Sequence, residues 1–293
     1  MKRIAIILLA LGLVAGMAVA ESGGSGSALN LNNGPFSLSF VGETGFVKVL
    51  THEITIGDPA NGNTTFDYVK EGGQEILFPF NRLTTELKIA DRHTVIFLFQ
   101  PLTIATQVRL ENDEVIDGVP FAADSGLNVT YGFPFYRTSY MFDFFPQDNI
   151  ELSAGLSLQL RNAFLRFEST DGEAIVVTQD LGPVPIIKLR GEYEFENAKI
   201  PGAFVGLEAD GFYASSAFIN GASYAFEGSI FDASLRAGFE PMPGTDVFLN
   251  LRGLGGGANG TRGDAREFAT QSRDGYTSNF LTSLSLTLGV RLK

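Results

Sequence analysis

The stretch Phe280-Leu281-Thr282-Ser283-Leu284-Ser285-Leu286-Thr287-Leu288-Gly289-Val290-Arg291-Leu292-Lys293 decides the fold class. Phe280, Thr282, Leu284, Leu286, Leu288, Val290 and Leu292 share one parity, and Ser283, Ser285, Thr287, Gly289, Arg291 and Lys293 take the other. Side chains alternate across a strand with a period of two, so one face is greasy and the other polar. Strands in soluble sandwiches run to about 5–6 residues, whereas a tilted strand crossing a bilayer needs about 9–11. An alternation this long predicts lipid on the greasy side.

The same period recurs, less cleanly, over 46–56, 76–89, 93–110, 127–145, 150–167, 184–195, 203–213, 223–240 and 247–257, which with the last segment makes ten stretches. Their connectors alternate between long (57–75, 111–126, 168–183, 214–222, 258–276) and short (90–92, 146–149, 196–202, 241–246). The short ones carry turn formers, as in Ala90-Asp91-Arg92, Pro146-Gln147-Asp148-Asn149 and Pro241-Met242-Pro243-Gly244. Short turns at one end, long loops at the other and an even strand count predict a transmembrane antiparallel up-and-down β-barrel of about ten strands, with eight or twelve as alternatives. Residues 36–41 read as the start of the first strand, bent at Gly42-Glu43-Thr44-Gly45, with a separate strand as the alternative. Several strands are expected to change phase partway, near Tyr131–Tyr136 with its Pro134, near Asn162–Leu165 and at Pro101. A bulge shifts phase, and strand proline is tolerated mainly there.

Residues 1–20 read as a secretory signal peptide: Lys2 and Arg3 are the basic region, Ile4–Val14 the apolar core and Ala18-Val19-Ala20 the cleavage site. Residues 21–34 read as a Ser/Gly/Asn-rich linker and 35–293 as the barrel. Loss of Lys2 and Arg3 makes the mature chain more acidic than the −12 of the full sequence, which excludes a nucleic-acid partner. The sequence has no cysteine, so disulfides and thiolate metal sites are excluded. No cofactor is expected. The cell outer membrane is the expected location, with its lipid, lipopolysaccharide and the barrel-assembly machinery as partners.

The stretches Arg92-His93-Thr94-Val95-Ile96-Phe97-Leu98-Phe99-Gln100-Pro101-Leu102, Tyr136-Arg137-Thr138-Ser139-Tyr140 and Ala233-Ser234-Leu235-Arg236-Ala237-Gly238-Phe239 resemble a family of small, mostly uncharacterised bacterial outer-membrane β-barrel proteins. The likeness runs over residues 75–293 and implies a fold and a location, with no functional residues to carry over. Barrels of this kind usually end in an aromatic residue, and this chain ends Leu292-Lys293.

With the greasy parity assigned to lipid, the inward set is Arg82, Glu86, Lys88, Arg137, Asp143, Glu151, Gln159, Arg161, Lys188, Arg190, Glu192, Glu194, Glu208, Asp210, Asp232, Arg236, Arg252 and Arg291. A ten-strand barrel is barely wider than the eight-strand case that side chains fill, so these groups meet across the lumen. Buried charges persist when paired, which predicts a salt-bridged plug in a structural barrel, with passage of a small solute through a narrow polar pore, or a charged ligand site, as the alternative. Phe78, Phe80, Phe97, Phe99, Phe204, Phe212 and Phe248 fall on inward parity. If they do face in, a hydrophobic ligand fits, entering from outside or leaving sideways through the wall; if phase shifts turn them out, they meet lipid. A soluble periplasmic or surface β-sandwich binding protein is a further alternative.

An enzyme is not expected. Lipid-modifying barrels need a nucleophile beside a histidine and an acid or amide, and only His52 and His93 are present, neither with a marked serine partner. Two histidines and no cysteine also leave no transition-metal site. The first three long loops hold thirteen acids (Asp58, Asp67, Glu71, Glu75, Glu111, Asp113, Glu114, Asp117, Asp124, Glu168, Asp171, Glu173, Asp180) against Lys70. They read as solvated acidic loops, with divalent cations shared with lipopolysaccharide as the alternative. The Gly253–Gly257 run has no following helix and is read as room for a bulky neighbour.

Overall fold

The computed structural model describes residues 35–56, 65–145, 147–196, 198–215, 226–261 and 276–293. The signal peptide and linker expected over 1–34 lie outside them, as do Asp58, the 216–225 and 262–275 connectors and the 223–225 end of a predicted strand.

Fifteen strands are described: β1 (Phe36–Ile56), β2 (Thr65–Asp67), β3 (Leu77–Ile89), β4 (His93–Gln100), β5 (Thr103–Arg109), β6 (Glu114–Ile116), β7 (Val119–Phe121), β8 (Gly126–Gly132), β9 (Phe135–Asp143), β10 (Ile150–Ser169), β11 (Ile175–Glu194), β12 (Phe204–Ser215), β13 (Phe226–Met242), β14 (Thr245–Thr261) and β15 (Tyr276–Leu292). Ten staves run antiparallel in the order β11-β12-β13-β14-β15-β1-β3-β4-β9-β10, and the β10–β11 ladder closes the ring. β5 and β8 continue β4 and β9 past Pro101-Leu102 and Phe133-Pro134. In the turn-end half closure leaves no edge strand, so the ladder groups there are satisfied without water.

Residues 36–41 belong to β1, which runs unbroken through Gly42–Gly45. Gly45 is required there because a Cβ would strike the Leu286 carbonyl of the neighbouring strand. At one end the turns are short, as at 90–92 and 243–244; we call this the turn end. The opposite loop end holds the connector with β2 and the connector with the β6–β7 hairpin. The long loop expected over 168–183 is corrected: β10 and β11 are 20-residue strands paired up to Glu168↔Ile175, joined by a five-residue turn. At about 3.3 Å per residue each is about 66 Å long, more than a bilayer's apolar layer needs even when tilted.

The expected phase shifts near 131–136, near 162–165 and at Pro101 do not occur. Leu127, Val129, Tyr131, Phe135, Arg137, Ser139, Met141 and Asp143 are all buried inward on one parity straight through the Pro134 break. In β10 the same holds from Ser153, Ser157 and Gln159 to Leu165 and Phe167. The inward face itself turns from polar to greasy. The phase shift that does occur lies in β1, where the β15 ladder slips between Val49 and Thr51. Val47 and Val49 point inward before it, His52 and Ile54 after it, and Leu50 and Thr51 both face out. This bulge turns His52 into the lumen.

Phe97 and Phe99 lie on the outward face, where Phe97 is half exposed and Phe99 stacks on the exposed Tyr136 at 4.8 Å. Phe78, Phe80, Phe204 and Phe248 face in. The outward face is a continuous apolar belt that includes Phe46, Leu156, Leu207, Leu249 and Leu286. Within it Gly255 makes room for its cross-strand partner Phe231, whose ring occupies the space a Cβ would take.

Candidate functional site in the lumen

The lumen has two zones stacked along the axis. In the turn-end half the inward positions carry charge, and the pairs knit around the ring. Asp232 faces three guanidiniums: Arg252 in direct contact, Arg137 at 3.1 Å and Arg82 at 3.4 Å. Asp210 takes Arg137 at 2.5 Å and Lys188 at 3.3 Å. Glu208 accepts from Lys188 at 3.0 Å and Arg190 at 3.1 Å, and Arg236 lies 3.6 Å away. Arg190 forks onto both oxygens of Glu86 at 2.6 and 2.9 Å. Nearer the turn end Glu192 binds Arg236 at 2.6 Å and Arg291 at 2.8 Å, and Arg291 reaches Asp246 at 2.5 Å.

Neutral amides and hydroxyls join the shell. Glu43 accepts from Asn250 at 2.7 Å and Thr287 at 2.9 Å, Gln159 accepts from Arg137 at 2.7 Å, and Gln100 accepts from Arg82 at 3.2 Å. Every stave contributes a member, so the network cross-links the ring. Space left among Arg82, Glu86, Arg190 and Glu208 amounts to a cavity of about 20 Å³, room for about one water. Below it, Val41, Phe204 and Phe248 form an apolar floor, with the Arg291 guanidinium 5.0 Å above the Phe204 ring and that of Arg236 5.9 Å above Phe248. Gly238 and Gly289 flank Phe248 in the ladder: a Cβ at Gly289 would clash with its ring, and one at Gly238 with its Cβ and the Val247 carbonyl.

In the loop-end half the inward positions are apolar: Val47, Ile54, Phe78, Phe80, Ile104, Leu127, Val129, Leu165, Phe167 and Leu281 pack into one cluster. Ile116 and Phe121 of the β6–β7 hairpin pack into it, as do Phe66 and Tyr68 from the connector between β1 and β3. At its centre His52 stacks on Tyr68 at 4.0 Å and 10°, and Tyr131 meets the imidazole edge-on at 4.4 Å. His52 Nδ1 and Gln74 Oε1 lie 2.9 Å apart. Five buried polar atoms of this half, His52 Nε2, Tyr68 Oη, Gln74 Nε2, Arg161 Nε and Asn279 Oδ1, have no hydrogen-bond partner among the described residues.

Of the sequence-derived lumen residues, Arg82, Glu86, Arg137, Lys188, Arg190, Glu192, Glu208, Asp210, Asp232, Arg236 and Arg252 sit together in the charged zone. Arg291 and Gln159 join them, and Glu151 stands 3.7 Å from Arg190. Arg161 departs from the expected plug: it lies at the boundary with the apolar half and forms no ion pair among the described residues. Asp143 caps the inner turn by accepting from the backbone of Phe145 and Leu152. Lys88 and Glu194 lie at the rim. The sequence reading missed Glu43 and Asp246 because both were assigned to bends; each lies two strand steps from an inward residue, so a longer strand would have found them. Gln74, Tyr68 and Tyr131 carried no such signal. Among the acidic loop residues, Asp171 lies in the β10–β11 turn, its carboxyl held below the usual range by the Ser169 hydroxyl and then the Glu173 N–H.

A ring closed by ten antiparallel staves, greasy outside and side-chain-filled inside, decides the class. The fold is that of an outer-membrane β-barrel. No protein-family model matches the chain and no curated relative does. Similar solved structures include the outer membrane protease OmpT from Escherichia coli, with a TM-score of 0.48, 8% identity and coverage of 92% of this chain and 99% of that one. The Pseudomonas putida toluene transporter TodX matches with a TM-score of 0.34 at 8% identity, over 90% and 92% of the two chains. A Pseudomonas aeruginosa FadL homologue gives 0.35 at 8%, over 88% and 90%. At these identities the likeness is one of fold alone.

Proposed function

We propose that this protein resides in the outer membrane as a sealed, structural barrel that opens no ionic path in its resting state. The observation that carries this reading is the charge network of the turn-end half, which draws on every stave and leaves among Arg82, Glu86, Arg190 and Glu208 space for about one water. The apolar belt supports the bilayer as its surroundings, since exposed leucines and phenylalanines in that number are solvated by lipid and not by water. Passage of a hydrophilic solute is the weaker reading, because the loop-end half adds a second, apolar seal. Single-channel recording of the refolded, signal-free protein in planar bilayers tests the proposal. Silence from a barrel with heat-modifiable gel migration is the expected result, and steady ion-selective steps overturn it.

We also read the barrel as non-catalytic. The His52 ring is enclosed by aromatic rings and Gln74, and His93 bonds the Tyr140 hydroxyl at 2.7 Å on the outward side near the turn end. Overexpression should leave lipid A and phospholipid profiles unchanged. A second reading, a barrel that holds a hydrophobic ligand, is favoured by one feature of its own: the apolar loop-end half, set behind an interrupted wall.

A further inference from the structure

The wall is interrupted between β3 and β5. The β3–β4 ladder runs from Ile89↔His93 to Leu83↔Phe99 and stops. Beyond it Leu77–Arg82 keep their β1 partners, while β5 pairs with β8. The cause is local. Pro101 has no N–H to donate, Pro134 sits beside it on the neighbouring stave, and the Phe133 N–H bonds the Leu102 carbonyl at 2.7 Å across the two breaks. β5 and β8 therefore leave the ring together and part from β3. Ile76 and Leu77 are exposed beside the seam, which places it within reach of the apolar belt.

Residues 67–75 form a strap over this seam. One side is anchored to β1 by the β2 ladder and by the Tyr68 N–H on the His52 carbonyl at 2.9 Å. The other side meets β5 through the Thr106 hydroxyl, which donates to the Gly72 carbonyl at 2.5 Å. The strap also carries what fills the chamber behind it: the Tyr68 phenol is fully buried, stacked on His52 and boxed by Phe66 at 5.3 Å and Phe167 at 5.5 Å. Among the described residues its hydroxyl has no hydrogen-bond partner, nor have His52 Nε2 and Gln74 Nε2. Buried polar atoms left unpaired are destabilising. The chamber is thus shaped for a ring with one hydroxyl, yet its present occupant leaves those polar atoms unused.

We propose that this chamber binds a small hydroxylated aromatic molecule, which replaces the Tyr68 side chain when the strap lifts from the β3–β5 seam. The proposal deepens the hydrophobic-ligand reading and rests on it. The ligand's ring takes the stacking place on His52, and its hydroxyl, both donor and acceptor, can reach polar atoms that Tyr68 in its tethered position does not. Entry from the side needs only the strap to move, whereas entry along the axis would have to displace the β6–β7 hairpin and the apolar cluster from the loop end, or break the charge network from the turn end.

The test is isothermal titration of p-cresol, the free side chain of tyrosine, into the refolded mature barrel against a detergent blank. The wild type is expected to saturate at one p-cresol per barrel, and Tyr68→Ala to bind at least tenfold more tightly, because the competing occupant is gone. A Cβ at Gly73 would lie 3.8 Å from that of Thr106, a normal disulfide separation, and the sequence has no other cysteine. Gly73→Cys with Thr106→Cys should therefore lose p-cresol binding when oxidised and regain it on reduction. Gly73 has φ +69°. If the pair does not fold, Thr106→Val, which removes the hydroxyl bond across the seam, should bind severalfold more tightly than wild type.

Binding by Tyr68→Ala with none by wild type, equal binding by the oxidised and reduced pair, or Thr106→Val no tighter than wild type overturns the opening of the strap. Absence of saturable binding in wild type and Tyr68→Ala alike overturns the chamber as an aromatic site. n-Octanol separates the two levels: saturable octanol without saturable p-cresol keeps the hydrophobic-ligand reading and overturns this one, and absence of both sinks them together.

Discussion

The two halves of the lumen are built from the same staves and, β1 apart, on the same parity, yet one is charged and the other greasy. In the turn-end half the familiar assignment works: inward means polar, as at Arg137, Gln159, Lys188 and Asp232. In the loop-end half the inward residues of those strands are Tyr131, Leu165, Phe167 and Val176, while the outward ones include the ion pair Arg166–Glu168 at 2.8 Å. The difference teaches that greasiness marks a buried face and not a lipid face. Where a strand rises past the apolar belt, water replaces lipid outside and the apolar residues turn in to cover one another.

The halves should also fail differently. The largest effect is expected from Asp232→Ala in the charged half, which strands three guanidiniums around one vacated site. A loss of about 5 kcal/mol, the upper end for a broken buried pair, should appear as a lower urea midpoint followed by heat-modifiable migration. Unchanged stability there would mean that water, and not its partners, solvates Asp232. In the greasy half Phe80→Ala should cost about 3–4 kcal/mol through lost burial and a residual cavity, with no change in conductance. A leak from Phe80→Ala, with none from Asp232→Ala, would reverse the assignment of the ionic seal to the turn-end half.

The smallest effect concerns the β10–β11 tip. The depressed pKa of Asp171, caused by the Ser169 hydroxyl and then the Glu173 N–H, means that its contribution is present above the ordinary aspartate pKa. It is lost as pH falls through the lowered folded value. Amide exchange at residues 169–174 should therefore show protection beyond the intrinsic rate that falls on acidification, and Asp171→Asn should flatten that dependence.

Much of the fold could be read in advance because strand alternation is local. The run from Phe280 to Lys293 needs no partner to show which residues share a face, and ten such runs with turn chemistry between them amount to a ring. The inward charges followed from the same parity. Two errors share one cause. Leu127, Val129, Tyr131, Leu165 and Phe167 look like lipid-facing residues after a phase slip, since a period of two says which side chains go together and not what they will meet. The bulge at Leu50-Thr51, which is real, leaves no comparable mark, because valine, histidine and isoleucine are tolerated on either face.

By itself, then, the sequence determined an all-β barrel with a greasy and a polar parity on each stave, since that information sits in neighbouring residues. Tertiary structure decided which carboxylate meets which guanidinium, that Arg161 stands apart from the network, that Tyr68 comes to rest on His52, and that Pro101 and Pro134 fall side by side to part β5 from β3. These depend on register and closure, which bring together residues far apart in the chain, and no local pattern encodes those distances.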